Sequence, residues 1–117
     1  MGFPPPPNKQ AFDQAVWQVV ARIPGGKVIT YGQIARWLAY PAGIPPHTYD
    51  VLSARWVGGA MAHCPEDLPW HRVVNSQGKI SPREGAAIQL ELLESEGIKF
   101  RPNGSINLRQ YAWEITE

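Results

Sequence analysis

Proline and glycine limit what this chain can fold into. Twelve prolines and eleven glycines among 117 residues interrupt it so often that only short helices and strands fit between the breaks. Met1 to Pro7 is a proline-run leader, expected to be extended and poorly ordered. Residues 1–9 therefore read as a flexible leader and 10–117 as a single domain. From Gln10 to Ile23 the apolar residues Phe12, Ala15, Val16, Val19, Val20 and Ile23 recur at three and four, which predicts an amphipathic helix. Pro24-Gly25-Gly26 stops it, and Val28-Ile29 is a very short extended piece. Thr30 and Gln33 then have the spacing of a capping box. The helix they open carries Ile34, Ala35, Trp37 and Leu38 and closes at Pro41.

Pro41 to Pro46 is a turn-rich connector, and a third helix is expected from near Thr48 or Ser53 to about His63. Gly58-Gly59 inside it costs about 1 kcal/mol per glycine relative to alanine, which marks a place where something approaches the backbone closely. Two short helices joined by a turn, the second richer in arginine and small residues, follow helix-turn-helix grammar. Trp70 to Val74 is β-prone, Asn75-Ser76-Gln77-Gly78 supplies a turn, and Lys79-Ile80-Ser81 returns as a second strand, a wing-like hairpin. Ser81-Pro82-Arg83-Glu84 reads as a second capping box. The helix behind it holds Ala87, Ile88, Leu92 and Leu93 and ends at Gly97. The tail from Ile98 to Glu117 is irregular, with Tyr111 and Trp113 placed to pin it on the core. There is no internal repeat.

A chain of this length supports one core without staples. Hydrophobic residues at 44% and charged residues at 18% are a globular composition. No apolar run approaches a membrane span and no signal pattern opens the chain, so a cytoplasmic protein without membrane contact is expected. One cysteine excludes a disulfide framework, and three dispersed histidines with no CxxC spacing argue against a metal site. No cofactor is implied. The net charge of +1 hides an uneven distribution. Between Arg22 and Arg83 seven basic residues face Asp50, Glu66 and Asp67, whereas beyond Arg83 six glutamates face Lys99, Arg101 and Arg109. A basic middle and an acidic end suit a polyanion-binding face backed by a solvated one.

Three blocks carry a family resemblance: Thr30-Tyr31-Gly32-Gln33, the run from Ala54 to Met61 (ARWVGGAM), and Pro69-Trp70-His71-Arg72-Val73-Val74. In order and context they resemble the DNA-binding domain of the O6-alkylguanine-DNA alkyltransferases, over roughly Ala11 to Gly97. That family has Pro-Cys-His-Arg-Val at its active site, and the cysteine takes the alkyl group. Trp70 stands in the cysteine's position, which is the mark of the alkyltransferase-like proteins. Displacement at an alkyl carbon needs a soft nucleophile such as an activated thiolate. An indole offers only a flat, polarizable ring to pack against a base or an alkyl group.

The resemblance implies an α/β, mainly helical, winged helix-turn-helix fold. It also implies a non-catalytic role: a monomer that binds double-stranded DNA containing O6-alkylguanine, flips the base and flags it for nucleotide excision repair proteins, nucleoid-associated when on DNA. Trp70, Arg83, Tyr31 and Val73 are the residues implied for the lesion pocket. Arg55 is the finger that enters from the minor groove and fills the gap of the extruded base. Tyr31 crowds the phosphate 3′ of the target, and Gly58, Gly59 and Ala60 let a DNA backbone approach. His71 and Glu96 match the pair that polarises the thiol in the enzymes and persist as a structural pair. Two departures stand out. The stretch Tyr40 to Ser53 is longer than the family's usual turn, and Cys64 replaces an asparagine of the active-site turn, where it reads as a small buried residue outside the pocket. Two alternatives stay open: an active methylated-DNA–cysteine methyltransferase using Cys64, and a winged-helix transcription regulator reading the major groove.

Overall fold

The computed structural model describes residues 6–38 and 45–114. The leader through residue 5, most of the Pro41 to Pro46 connector and the last three residues of the tail lie outside the described residues. Within the described part of the leader, Pro6 is buried and the Asn8 side chain accepts a hydrogen bond from Ala11 N–H at 3.0 Å. This cap opens α1 (Lys9–Val20). The helix stops three residues short of Ile23, where Arg22 and Ile23 donate instead to Val19 and Val20 in tighter i→i−3 bonds.

The Thr30–Gln33 capping box forms as expected. Gln33 N–H donates to Thr30 Oγ1 at 3.1 Å and Thr30 N–H to Gln33 Oε1 at 2.9 Å, starting α2 (Tyr31–Trp37). The third helix, α3 (Pro46–Ala62), begins earlier than Thr48 or Ser53. A proline costs nothing in a helix's first turn, where its missing N–H would have had no partner. Half of the long connector is therefore helix. Packed together, α1, α2 and α3 bury Val16, Val20, Ile34, Trp56 and Val57 in one cluster. Two polar contacts fix their register: Tyr49 Oη donates to Ala35 C=O at 2.7 Å in the core, and half-buried Trp17 donates from Nε1 to Ala60 C=O at 2.9 Å. Trp56 meets the Phe12 ring edge-on at 5.8 Å.

The wing-like hairpin is corrected. β1 (Ile29–Thr30) pairs in parallel with β2 (Val73–Val74), Ile29 opposite Val73 and Thr30 opposite Val74. Val73 and Val74 are both buried, so pairing inside the core covers both their faces, as parallel strands require. The Asn75–Gly78 turn does form, with Asn75 Oδ1 accepting from Gln77 and Lys79 N–H, but Lys79 bridges to Ser105 of the tail. The tail is pinned as expected: Val28 N–H donates to Tyr111 C=O at 2.9 Å and Trp113 N–H to Val28 C=O at 2.7 Å. It is not wholly irregular, since Leu108–Tyr111 forms a short helix, α5, after α4 (Ala86–Ser95). Val28, Val74, Leu93, Ile98 and Ile106 make a second, smaller cluster.

A carboxylate links the two clusters. Glu96, just beyond α4, accepts from Arg72 Nε at 3.0 Å and Nη2 at 2.6 Å, from His71 Nε2 at 2.9 Å, and from Gly26 N–H at 3.3 Å. Arg72 Nη1 also donates to Ile23 C=O at 2.8 Å. The Arg72 bonds, outweighing the cost of burial, pull the Glu96 pKa from 4.5 down to about 2. A carboxyl depressed in the fold adds stability above its unfolded pKa and loses it as pH falls toward the folded value. Glu96→Gln should therefore lower stability at pH 7 by about 1.5–3 kcal/mol, the range for hydrogen bonds to charged groups. Denaturant titrations between pH 5 and about 2 should show a steeper stability loss in the parent than in the variant.

Candidate nucleic-acid interface

Trp70 does not lie in a strand. It opens a 3-10 turn, Trp70–Arg72, because Pro69 precedes it and Arg72 N–H closes onto Pro69 C=O at 3.1 Å. The turn leaves Trp70 half-buried, with its ring edge-on to the His71 imidazole at 6.0 Å. The indole lines an open cleft of about 700 Å³ between the end of α3 and the start of α4. Met61, Ile88 and Leu92 supply the cleft's other apolar walls, and Glu66, Arg83 and Glu84 its charges.

Arg83 reaches this cleft for a reason that corrects the second capping box. Ser81 Oγ lies 3.3 Å from Tyr31 Oη instead of capping Glu84. The cap position of α4 falls to Gly85, whose φ of +90° suits glycine, and residues 82–85 form a bend on the cleft's rim. Tyr31 sits in the first turn of α2, half-buried, and holds Ser81 from outside the cleft lining. Tyr31 and Arg83 thus flank one bend, but only Arg83 faces the cavity.

The outer face of α3 leads into the same cleft. Val51, Ala54, Arg55, Gly59 and Ala62 are exposed at helical spacing, Gly58 is half-exposed, and Ala62 also lines the cleft. A Cβ built on Gly58 or Gly59 would meet nothing within 4 Å. No neighbour inside the described fold requires those two glycines, and without side chains they leave the surface of α3 low there. Three expected site residues are corrected, Tyr31 among them, since it stands outside the cleft lining. Ala60 is fully buried under α1 and has no surface to offer DNA. Val73 is a core residue of β2 and does not line the cleft.

Cys64 is also corrected, since it lines the cleft with Trp70. Burial, helped by Asp67 and opposed by Arg83, raises its thiol from 9.0 to about 11. At neutral pH it is a protonated thiol, the reverse of an activated nucleophile. The His71–Glu96 pair forms as expected, but Arg72 holds Glu96 more tightly than His71 does. Arg72 and Gln89 were missed. A signal for the first was present: Glu96 at the C-terminal end of a helix opposes the helix dipole and calls for a cation. Gln89 gives no such sign, because a glutamine on a helix is ordinarily solvated.

The chain is similar to proteins of one family. Residues 11–98 match the family model described as the 6-O-methylguanine DNA methyltransferase DNA-binding domain. The chain is 43% identical over 102 residues to the DNA base-flipping protein of Vibrio parahaemolyticus, covering 85% of this chain and 92% of that one. It is 40% identical over 112 residues to alkyltransferase-like protein 1 of Schizosaccharomyces pombe, covering 88% and 94%. The solved structure of the S. pombe protein in complex with damaged DNA containing O6-carboxymethylguanine superposes with a TM-score of 0.72 at 38% identity, covering 91% of this chain and 97% of that one.

The cleft chemistry makes a direct prediction. With burial pushing its pKa up to about 11, Cys64 should react with iodoacetamide at pH 7.5 roughly a hundredfold more slowly than a free thiol. Its rate should rise about tenfold per pH unit, with no plateau below pH 10. A fast, pH-independent reaction at neutral pH would contradict the protonated assignment.

Proposed function

The chain belongs to the family of the 6-O-methylguanine DNA methyltransferase DNA-binding domain, and on that premise we propose that it is a non-catalytic reader of alkylated DNA. It binds duplex DNA containing O6-alkylguanine, turns the modified base into the cleft, and holds it there without taking the alkyl group. The observation that carries this reading is Trp70 on the cleft wall where the enzymes place their thiol, beside a Cys64 kept protonated. A base and its adduct can pack on the indole, but no group in the cleft is set up for the displacement.

The division of labour follows from position. The low face of α3 lies along the DNA, and Arg55, projecting from it, occupies the stack the base leaves. Flipping costs a few kcal/mol of pairing and stacking, least for a damaged base, so the inserted guanidinium offsets the cost and keeps the base from falling back. Tyr31, anchored on Ser81, presses from the phosphate side. Arg83 on the rim closes over the flipped base. The held complex then serves as a flag for nucleotide excision repair.

Identical duplexes with and without one O6-methylguanine test this reading. The parent should prefer the lesion duplex, and its mass should stay unchanged after incubation; a gain of one methyl group would overturn the non-catalytic assignment. Trp70→Ala should weaken lesion binding by about 1–3 kcal/mol, the value of base stacking, with a smaller loss on the unmodified duplex. Equal losses on both would reduce Trp70 to a structural role. Arg55→Ala should abolish most of the lesion preference, and 2-aminopurine at the target site should brighten far less than with the parent.

A further inference from the structure

Gln89 is 1% exposed, yet it stands one residue from Ile88, a cleft-lining side chain that is 55% exposed. Its Nε2 donates to two carbonyls of the Trp70 turn at once, His71 C=O at 3.1 Å and Val73 C=O at 3.0 Å. Its Oε1 is the one buried side-chain polar atom among the described residues with no partner. A buried orphan acceptor is costly, so a side chain that keeps one is retained for what its other end does. The other end clamps the backbone on both sides of Arg72, directly after Trp70. Arg72 itself is held by Glu96 at the far end of the same helix. Two points on α4, about two turns apart, therefore hold one short turn. Nothing in a three-residue 3-10 helix would fix its orientation alone.

We infer that Gln89 is the positioning residue for the lesion cleft: by bonding the carbonyls of His71 and Val73 it sets the angle at which Trp70 faces the cavity. This inference rests on the proposed lesion binding. Its physical content is that the site uses the donors of Gln89 and not its volume. Preorganised stacking surfaces gain affinity by avoiding an ordering cost on binding. A loosened turn should thus lose preference for the lesion while α3 keeps its grip on unmodified DNA.

Two variants remove the donors and keep the volume. Gln89→Leu keeps the bulk and Gln89→Met keeps the length of the side chain, and neither offers a donor to the two carbonyls or brings a charge into a buried site. The measurement is the ratio of dissociation constants for duplexes with and without one O6-methylguanine, taken well below each variant's Tm, with 2-aminopurine fluorescence as a second readout. Both variants should lose about fivefold or more of the parent's ratio, the lower end of a lost stacking contact, at nearly unchanged affinity for unmodified DNA. A parental ratio in Gln89→Leu overturns the inference. Should that variant not fold, a parental ratio in Gln89→Met overturns it equally. If the parent shows no lesion preference, the proposed function fails first, and the two failures are told apart.

Discussion

The carboxylate of Glu96 holds the functional half of this molecule together. It sits at the C-terminal end of α4, where the helix dipole is negative, and is stable there only because Arg72 and His71 surround it. Arg72 reaches on to the carbonyl of Ile23, just past α1, so one guanidinium connects the first helix, the Trp70 turn and α4. The fork geometry of arginine makes this possible; a lysine ammonium has no rigid set of donors aimed in several directions. A two-residue parallel sheet could not bind these segments alone, since its ladder is too short to be stable without such support.

Around that anchor the cleft combines features that stability alone would not select. Ile88 and Leu92 leave apolar surface exposed, Trp70 is only half covered, and Gly58-Gly59 weakens α3 with no close neighbour to justify it. Each makes sense if the missing contacts come from DNA. The thiol in the cleft follows the same logic. A nucleophilic cysteine needs surroundings that favour its anion, and at Cys64 burial and Asp67 outweigh the help of Arg83. With Trp70 in the thiol's position, the remaining cysteine is half-buried where its charged form is disfavoured.

Much of the scaffold was legible because it is governed by local rules. The Thr30–Gln33 capping box, the Asn75–Gly78 turn and the Gly97 terminus depend on residues within a few positions of one another. Gly97, with φ of +89°, ends α4 by the mechanism its position in sequence suggested. The errors fall where a local rule met a distant competitor. Ser81 lost its capping role to Tyr31, fifty residues away, and the strand expected at Trp70 became a 3-10 turn clamped by Gln89. Val73-Val74 has the same β propensity in a hairpin as in a parallel pair; only the arrival of Ile29-Thr30 beside it decided between them.

By itself the sequence determined the four longer helices, the Thr30–Gln33 cap, the family and the replacement of a nucleophile by an indole, because these reside in residue identity and short-range spacing. Tertiary structure alone decided which side chains meet in the cleft. It brought Cys64 in and kept Val73 and Ala60 out, since orientation about a helix or turn changes with a shift of one residue. It also set the thiol's charge state, which depends on burial and on Asp67 and Arg83 in space. The aim of Trp70 belongs to the same class, being held by donors on α4 that the chain brings back only after the turn is made.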